Sequence, residues 1–149
     1  MGIEMCSLVF NNVLSYDVVQ KMEDWQEGIT MMEDTIVNKD VYKNGPLFFS
    51  FSQNPTEGKT ERFTYYMPIN STVLLPEESN FSFQDSLILE RALLLRQQDI
   101  DFYSASETLK NYANGHQIEL DKTYYCVLLE VYGEYIADFY VPIKAQGDE

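Results

Sequence analysis

A carboxylate lies among aromatic residues near the end of this chain. The stretch LLEVYGEYIADFYVPI, residues 128–143, places Glu130 close to Tyr132, Tyr135 and Phe139. A carboxylate beside aromatic rings can hold a cation, because Coulomb attraction adds to the attraction of the ring quadrupoles for positive charge. A desolvated carboxylate can alternatively serve as a general acid or base. A third interpretation needs no ligand: Glu130 is solvated near the sheet edge or accepts hydrogen bonds from the neighbouring tyrosines.

The residues around Gly133 predict a tight β-hairpin that sorts these side chains into two faces. With Gly133-Glu134 as the turn, Glu130 opposes Ala137, and side chains alternate between the faces along each strand. One face carries Val127, Leu129, Val131, Ile136 and Tyr140, and the other carries Leu128, Glu130, Tyr132, Tyr135, Ala137 and Phe139. We expect the first face to pack under helices and the second to contact a ligand.

A helical pattern in the first third of the chain follows a β-prone stretch over residues 4–14. Over residues 15–37, apolar side chains recur at intervals of three and four, which is typical of a helix with one buried face. The members of this stripe are Val18, Met22, Trp25, Ile29, Met32 and Ile36. Ser15 is the predicted N-cap. Gly28 lies inside this helix and is expected to weaken it by about 1 kcal/mol relative to alanine.

The remaining segments predict further strands and a second helix. Residues 47–53 and 61–69 alternate or are β-prone and flank a turn-rich loop, which predicts an antiparallel hairpin. Residues 104–115 predict a short helix that opens with a capping box at Ser104 and ends at a glycine. Residues 83–96 fit either a strand or a helix, because a continuous apolar run has no decisive period.

An internal repeat resolves that ambiguity. The segments FTYYMPI and ADFYVPI, which end at Ile69 and Ile143, share an aromatic pair of positions followed by an apolar residue, Pro and Ile. The order strand, helix, strand, strand also occurs twice if residues 83–96 form a strand, so the two observations together favour duplication. Matching the two prolines places Phe63 and Tyr65 on the face equivalent to that of Glu130.

This arrangement resembles the GyrI-like small-molecule-binding domains, which are also the effector-binding domains of several bacterial transcription activators. The resemblance is carried by YMPI, by GP at residues 45–46, by LLEVY and by YVPI. It implies an α+β fold with a duplicated βαββ repeat, an antiparallel sheet with two helices packed on one face, and a groove between the repeats. In that family aromatic residues and a buried glutamate contact apolar or cationic ligands. The matching glutamate is Glu130, and the ligand-binding residues expected with it are Tyr132, Tyr135, Phe139, Phe63 and Tyr65.

Length and composition set further bounds. At 149 residues the chain is expected to form one domain, with repeats over about 3–70 and 81–145. The net charge of −14 argues against a nucleic-acid partner and favours cations or a basic protein surface. We expect a cytoplasmic, bacterial, stand-alone protein with no membrane segment, cofactor or metal. The only histidine, His116, has no cysteine or histidine near it in sequence.

Three functions are compatible with these features. The first is a ligand-binding protein whose aromatic groove and central Glu130 bind a small apolar, in some cases cationic, molecule. The second is an acidic adaptor or inhibitor that binds a basic protein partner. The third is a hydrolase in which Glu130 activates water, and it is the least favoured because no second catalytic group is evident. Neither the oligomeric state nor the identity of the ligand follows from the sequence.

Overall fold

The computed structural model describes residues 3–36, 43–52, 60–70, 81–97 and 101–144. Within them the chain forms six strands and two helices. The strands are β1 (Glu4–Lys21), β2 (Phe48–Ser52), β3 (Thr60–Pro68), β4 (Phe81–Gln97), β5 (Thr123–Val131) and β6 (Glu134–Pro142). The helices are α1 (Trp25–Ile36), preceded by a 3₁₀ turn over Met22–Asp24, and α2 (Phe102–Gly115).

All strand pairs are antiparallel, and the sheet closes on itself in the order β1-β3-β2-β5-β6-β4. Both helices pack on the same side of this sheet, where Met32 of α1 and Leu109 of α2 belong to one apolar cluster. The α+β fold and the placement of the two helices on one face are therefore confirmed. In the described part of the chain, no helix is long and apolar enough to span a membrane.

The region whose periodicity was ambiguous, residues 83–96, is a strand. It lies inside β4, which pairs with β1 on one side and with β6 on the other. The element order is therefore strand, helix, strand, strand twice over. Pairing with two neighbouring strands satisfies the backbone hydrogen-bonding groups of β4. The apolar run itself favours neither strand nor helix, so these tertiary contacts select the strand.

The first helix begins ten residues later than the apolar stripe predicts, so the predicted cap at Ser15 is wrong. Residues from Ser15 to Lys21 continue β1, and each has a partner on β3, from Ser15 opposite Tyr66 to Lys21 opposite Thr60. Their exposure alternates as in a strand, with exposed Asp17 and Val19 between half-buried neighbours. Because Val18 fits both a period of two and a helical period, strand pairing decided the outcome.

The second helix, in contrast, starts two residues earlier than predicted, at Phe102. Asp101, not Ser104, is the N-cap, and its carboxylate oxygen Oδ1 accepts a hydrogen bond of 3.1 Å from the backbone N–H of Ser104. This is the usual way in which an aspartate satisfies a free N–H at a helix start. The earlier start adds Phe102 to the helix and buries it in the core. The predicted end at Gly115 is confirmed.

The two Pro-Ile segments make matching backbone hydrogen bonds. The carbonyl of Pro68 accepts from the Asn44 N–H at 2.7 Å, and that of Pro142 accepts from the Asp121 N–H at 2.8 Å. The following isoleucine N–H groups donate to carbonyls of β1 and β4, respectively. Proline has no N–H to donate to a neighbouring strand. As the last residue of β3 and of β6 it therefore interrupts the fewest hydrogen bonds of the sheet.

The β5–β6 turn is one residue earlier than predicted, at Tyr132-Gly133. Both residues have positive φ, 52° and 82°, as in a type I′ turn, and Val131 pairs with Glu134. Glu130 consequently opposes Tyr135 rather than Ala137. The correction is a shift of two positions, so the strand side chains keep their predicted faces, whereas Tyr132 lies in the turn and not on a strand face.

Tyr132 is strained in this turn, and its replacement by asparagine is expected to stabilise the protein. Its side chain is fully exposed, so no packing compensates for the left-handed backbone, which asparagine adopts more readily. Tyr132→Asn should raise the free energy of unfolding by about 1 kcal/mol, measured by urea denaturation. Tyr132→Ala is the control, because it removes the ring but keeps the strain. Equal stability of both variants would contradict the assignment of strain.

Candidate functional site

The hairpin face expected to bind a ligand packs against the helices. Phe139 is fully buried and its ring meets that of Phe102 of α2 edge-on, with centroids 5.7 Å apart. The sequence therefore assigned the two faces of the hairpin to the wrong sides. Phe63 and Tyr65 are also fully buried in the apolar cluster that contains Phe139, Met32 and Leu109, which we call the helix-facing cluster. Their predicted shared face with Phe139 is therefore confirmed.

Tyr65 is held tightly in this cluster. Its hydroxyl donates a hydrogen bond of 2.7 Å to the backbone carbonyl of Trp25 and accepts one of 2.6 Å from the Gln20 side chain. Burial raises the pKa of Tyr65 well above its usual value, and the charge of Glu27 adds to this. Its ring lies directly against the backbone of Gly28. Tyr65 thus joins the sheet to the start of α1.

The other predicted site residues lie near the end of the hairpin, away from Phe63 and Tyr65. Glu130 is exposed at the end of β5, and Tyr132 is fully exposed in the turn. Tyr135 is the backbone partner of Glu130, and its side chain lies outside what the structure describes. The ligand-binding role of all these residues remains a prediction.

A second aromatic surface lies on the side of the sheet that carries no helix. We call it the helix-free face. Its buried members are Val13, Phe48, Leu87, Leu89, Ala92, Val127 and Tyr140, and its half-buried members are Cys6, Leu8, Phe10, Tyr66, Leu94, Tyr125 and Leu129. All of them belong to strands, so no described helix covers these side chains.

Rings from five adjacent strands lie next to one another across the helix-free face. Phe10 of β1 stacks on Phe48 of β2 with centroids 4.5 Å apart, and Phe48 stacks on Tyr66 of β3 at 4.7 Å. Tyr125 of β5 lies 6.0 Å from Tyr66 and is the cross-strand partner of Tyr140 in β6. These separations are typical of favourable aromatic pairs. Three of the rings, those of Phe10, Tyr66 and Tyr125, are only half-buried, so the wall that these rings form is partly exposed.

The tyrosines of this face keep their protons at neutral pH. Burial raises the pKa of Tyr125 to about 12. Burial, with a further contribution from the charge of Asp138, raises the pKa of Tyr140 to about 12. The Tyr66 hydroxyl lies 3.2 Å from Ser50 Oγ, and burial raises its pKa as well. The wall therefore presents neutral phenol groups that can both donate and accept hydrogen bonds.

A buried carboxylate adjoins this wall. Asp138 is 4% exposed and points to the helix-free face, because it alternates with Ala137 and Phe139 along β6. Arg96, its cross-strand partner on β4, donates from Nε to Oδ1 at 2.6 Å and from Nη2 to Oδ2 at 2.9 Å. This two-pronged pairing is the strongest geometry for a guanidinium and a carboxylate.

The sequence contained a signal for this site that went unused. Asp138 is a charged residue between Ala137 and Phe139, and every other residue of β6 after Glu134 is apolar or aromatic. Alternation also places it on the same face as Tyr140 and, across the hairpin, Tyr125. The same reasoning that selected Glu130 could have selected Asp138, with an aromatic face around it.

Other candidate chemistry is limited in the described segments. Cys6 and Cys126 are free, and they lie in the two clusters on opposite sides of the sheet. Burial raises the pKa of both thiols, which makes them poor nucleophiles. No group of three His, Cys, Asp or Glu side chains in the described residues could hold a metal ion. His116 is exposed and stacks on Tyr112 with centroids 4.1 Å apart.

Comparison with known proteins identifies both a family and a fold. A family model described as "Domain of unknown function (DUF5085)" matches residues 9–149. No curated protein sequence matches the chain. The crystal structure of the EcmrR C-terminal domain is similar with a TM-score of 0.74 at 9% identity, over 97% of this chain and 98% of that chain.

Two further structures share the fold. SAV2435 bound to tetraphenylphosphonium has a TM-score of 0.53 at 12% identity, over 97% of this chain and 95% of that chain. A hydrolase from Listeria innocua has a TM-score of 0.61 at 8% identity, over 95% and 91% of the two chains. These similarities confirm the GyrI-like fold expected for this chain.

Proposed function

We propose that this chain, which belongs to the DUF5085 family and has the GyrI-like fold, binds a small apolar molecule with aromatic groups on its helix-free face. The observation that carries the proposal is the wall of half-buried rings beside a buried carboxylate, with no described helix over it. Tyr66 and Tyr125 supply ring faces for stacking, and their hydroxyls orient a polar group of the ligand.

The helix-free face suits a ligand better than the helix-facing cluster does. Phe63, Tyr65 and Phe139 have no exposed surface, and a guest among them would have to separate α1 and α2 from the sheet. Tyr66 and Tyr125 already have exposed surface, so stacking on them removes apolar area from water without first breaking native packing. Ligand binding, which the sequence predicts around Glu130, is thus proposed to occur on the opposite side of the sheet.

The ligand class follows from the same residues. Flat ring faces select aromatic groups, and the bound tetraphenylphosphonium of SAV2435, a cation with four phenyl rings, is a guide to size and shape. The net charge of −14 raises the local concentration of any cation near the protein. We therefore choose tetraphenylphosphonium and the neutral triphenylphosphine oxide as probes.

Calorimetric titration of both probes tests the proposal. Tyr125→Leu, which keeps an apolar side chain but removes the ring, should weaken binding of a probe by about tenfold, since base or aryl stacking on one ring is worth roughly 1–3 kcal/mol. Tyr112→Leu is the matched control, because Tyr112 is also half-buried but lies on α2 and stacks on His116. Its affinity should equal that of the wild type.

Glu130→Gln separates this proposal from the site predicted around the hairpin end. Glu130 is exposed and lies on the helix-facing side of β5, so its charge should not matter for a ligand on the helix-free face. Loss of binding in Glu130→Gln with retention in Tyr125→Leu would return the site to the hairpin end. If neither probe bound the wild type, the proposed function would be contradicted for this class of ligand.

A further inference from the structure

The buried carboxylate of the helix-free face, that of Asp138, is already paired with the guanidinium of Arg96. Both oxygens of Asp138 accept hydrogen bonds from Arg96, at 2.6 Å and 2.9 Å. The two side chains differ in environment, since that of Asp138 is 6% exposed and that of Arg96 is 61% exposed. The guanidinium therefore covers the carboxylate from the solvent side.

The Arg96 guanidinium occupies the position beside Asp138 where the charge of a cationic ligand on this wall would be most stable. Tyr140 lies two residues after Asp138 on the same strand face, and Tyr125 is its cross-strand partner. A positive charge placed against these rings and Asp138 would combine ion pairing with attraction to the ring faces. Guanidinium is a planar, weakly hydrated cation that binds both kinds of group, so Arg96 resembles such a ligand in chemistry.

If the Arg96–Asp138 pair separates, Arg96 has a second carboxylate near it. Glu4 of β1 lies opposite Leu94, which places it diagonally across from Arg96 on the same side of the sheet. The hydrogen bonds and the charge of Asp138 raise the pKa of Arg96, and the charge of Glu4 adds to this. A displaced guanidinium therefore finds solvent and a second carboxylate nearby.

We propose that Arg96 determines which ligands the helix-free face accepts: while it is paired with Asp138 the face binds neutral aromatic molecules, and a cation binds only by displacing it. The inference rests on the proposed function of this face. It assigns to Arg96 a selective role, distinct from the stacking role of Tyr66 and Tyr125, and makes the charge of the ligand a property that one side chain controls.

Titration of the two probes into Arg96→Gln tests the inference. Glutamine can still donate a hydrogen bond to Asp138 but carries no charge. Tetraphenylphosphonium should bind Arg96→Gln at least about tenfold more tightly than it binds the wild type, because the carboxylate becomes available to the ligand charge. The affinity for triphenylphosphine oxide should not change. Arg96→Lys, which keeps a charge, should resemble the wild type.

An NMR readout in the wild type guards against a misfolded variant. The Nε–H signal of Arg96 should shift toward that of a solvated arginine when tetraphenylphosphonium binds, and should stay in place with triphenylphosphine oxide. Equal effects of Arg96→Gln on both probes, or an unmoved Arg96 signal with bound cation, would overturn the inference while leaving the binding face intact. Absence of binding by either probe in every variant would instead contradict the proposed function.

Discussion

Gly28→Ala is expected to lower the free energy of unfolding by about 3 kcal/mol, although alanine is the better helix former. A Cβ atom at Gly28 would overlap three ring atoms of Tyr65, the farthest of them only 2.6 Å away. Tyr65 cannot easily move, because it is fully buried and its hydroxyl is bound to Gln20 and to the Trp25 carbonyl. The ring or the helix must shift, and overpacking of this kind costs more than helix propensity returns.

Gly115→Ala is the matched control for this prediction. Gly115 ends α2, and a Cβ there would meet no atom within 4 Å. Its replacement should change stability by less than about 1 kcal/mol and in the stabilising direction. Urea denaturation measures both variants. Adding Tyr65→Leu to Gly28→Ala should recover part of the loss, since the smaller side chain leaves room for the methyl group. Additive effects would contradict the proposed contact.

Arg96→Met is expected to destabilise the protein by about 2 kcal/mol, less than the ~3–5 kcal/mol for a fully buried pair because the guanidinium is exposed and screened. The cost arises from Asp138, which stays buried with a charge and without its partner. Denaturation at neutral pH, with Arg62→Met as the control, measures it. Arg62 pairs with Asp17 at 2.8 Å, but both side chains are at least half exposed.

Asp138→Asn gives the reverse experiment. It replaces the charged partner of Arg96 by a neutral amide that can still accept one hydrogen bond, and the Arg96 side chain is 61% exposed and can be solvated. The loss should therefore be about 1 kcal/mol, smaller than that of Arg96→Met. A larger loss from Asp138→Asn than from Arg96→Met would show that the carboxylate stabilises the fold through contacts other than this ion pair.

The sequence predicted the fold well where two levels of pattern agreed. Residues 83–96 have no decisive period, but the repeat required a strand there and β4 confirms it. The error at Ser15 has the opposite cause, because the helical stripe from Val18 onward is a single local pattern that no second pattern supports. Seven residues of that stripe region, from Ser15 to Lys21, each pair with β3, and such long-range pairing leaves no local signal.

The candidate site was harder to predict for a geometric reason. Alternation correctly showed which side chains share a face with Glu130, but it cannot show on which side of the sheet the helices lie. Both faces of the β5–β6 hairpin are apolar, since Leu128 faces one cluster and Val127 the other. Apolar clusters line both sides of the sheet, so hydrophobicity alone does not distinguish the helix-facing cluster from the helix-free face.

The location of a bound probe tests the central proposal most directly. In an isotope-filtered NOESY spectrum of the protein with triphenylphosphine oxide, the phenyl protons of the probe should give cross-peaks to the rings of Tyr66, Tyr125 and Tyr140. Cross-peaks to Phe63 and Phe139 in the helix-facing cluster, or to Tyr132 in the turn, would contradict the assignment of ligand binding to the helix-free face.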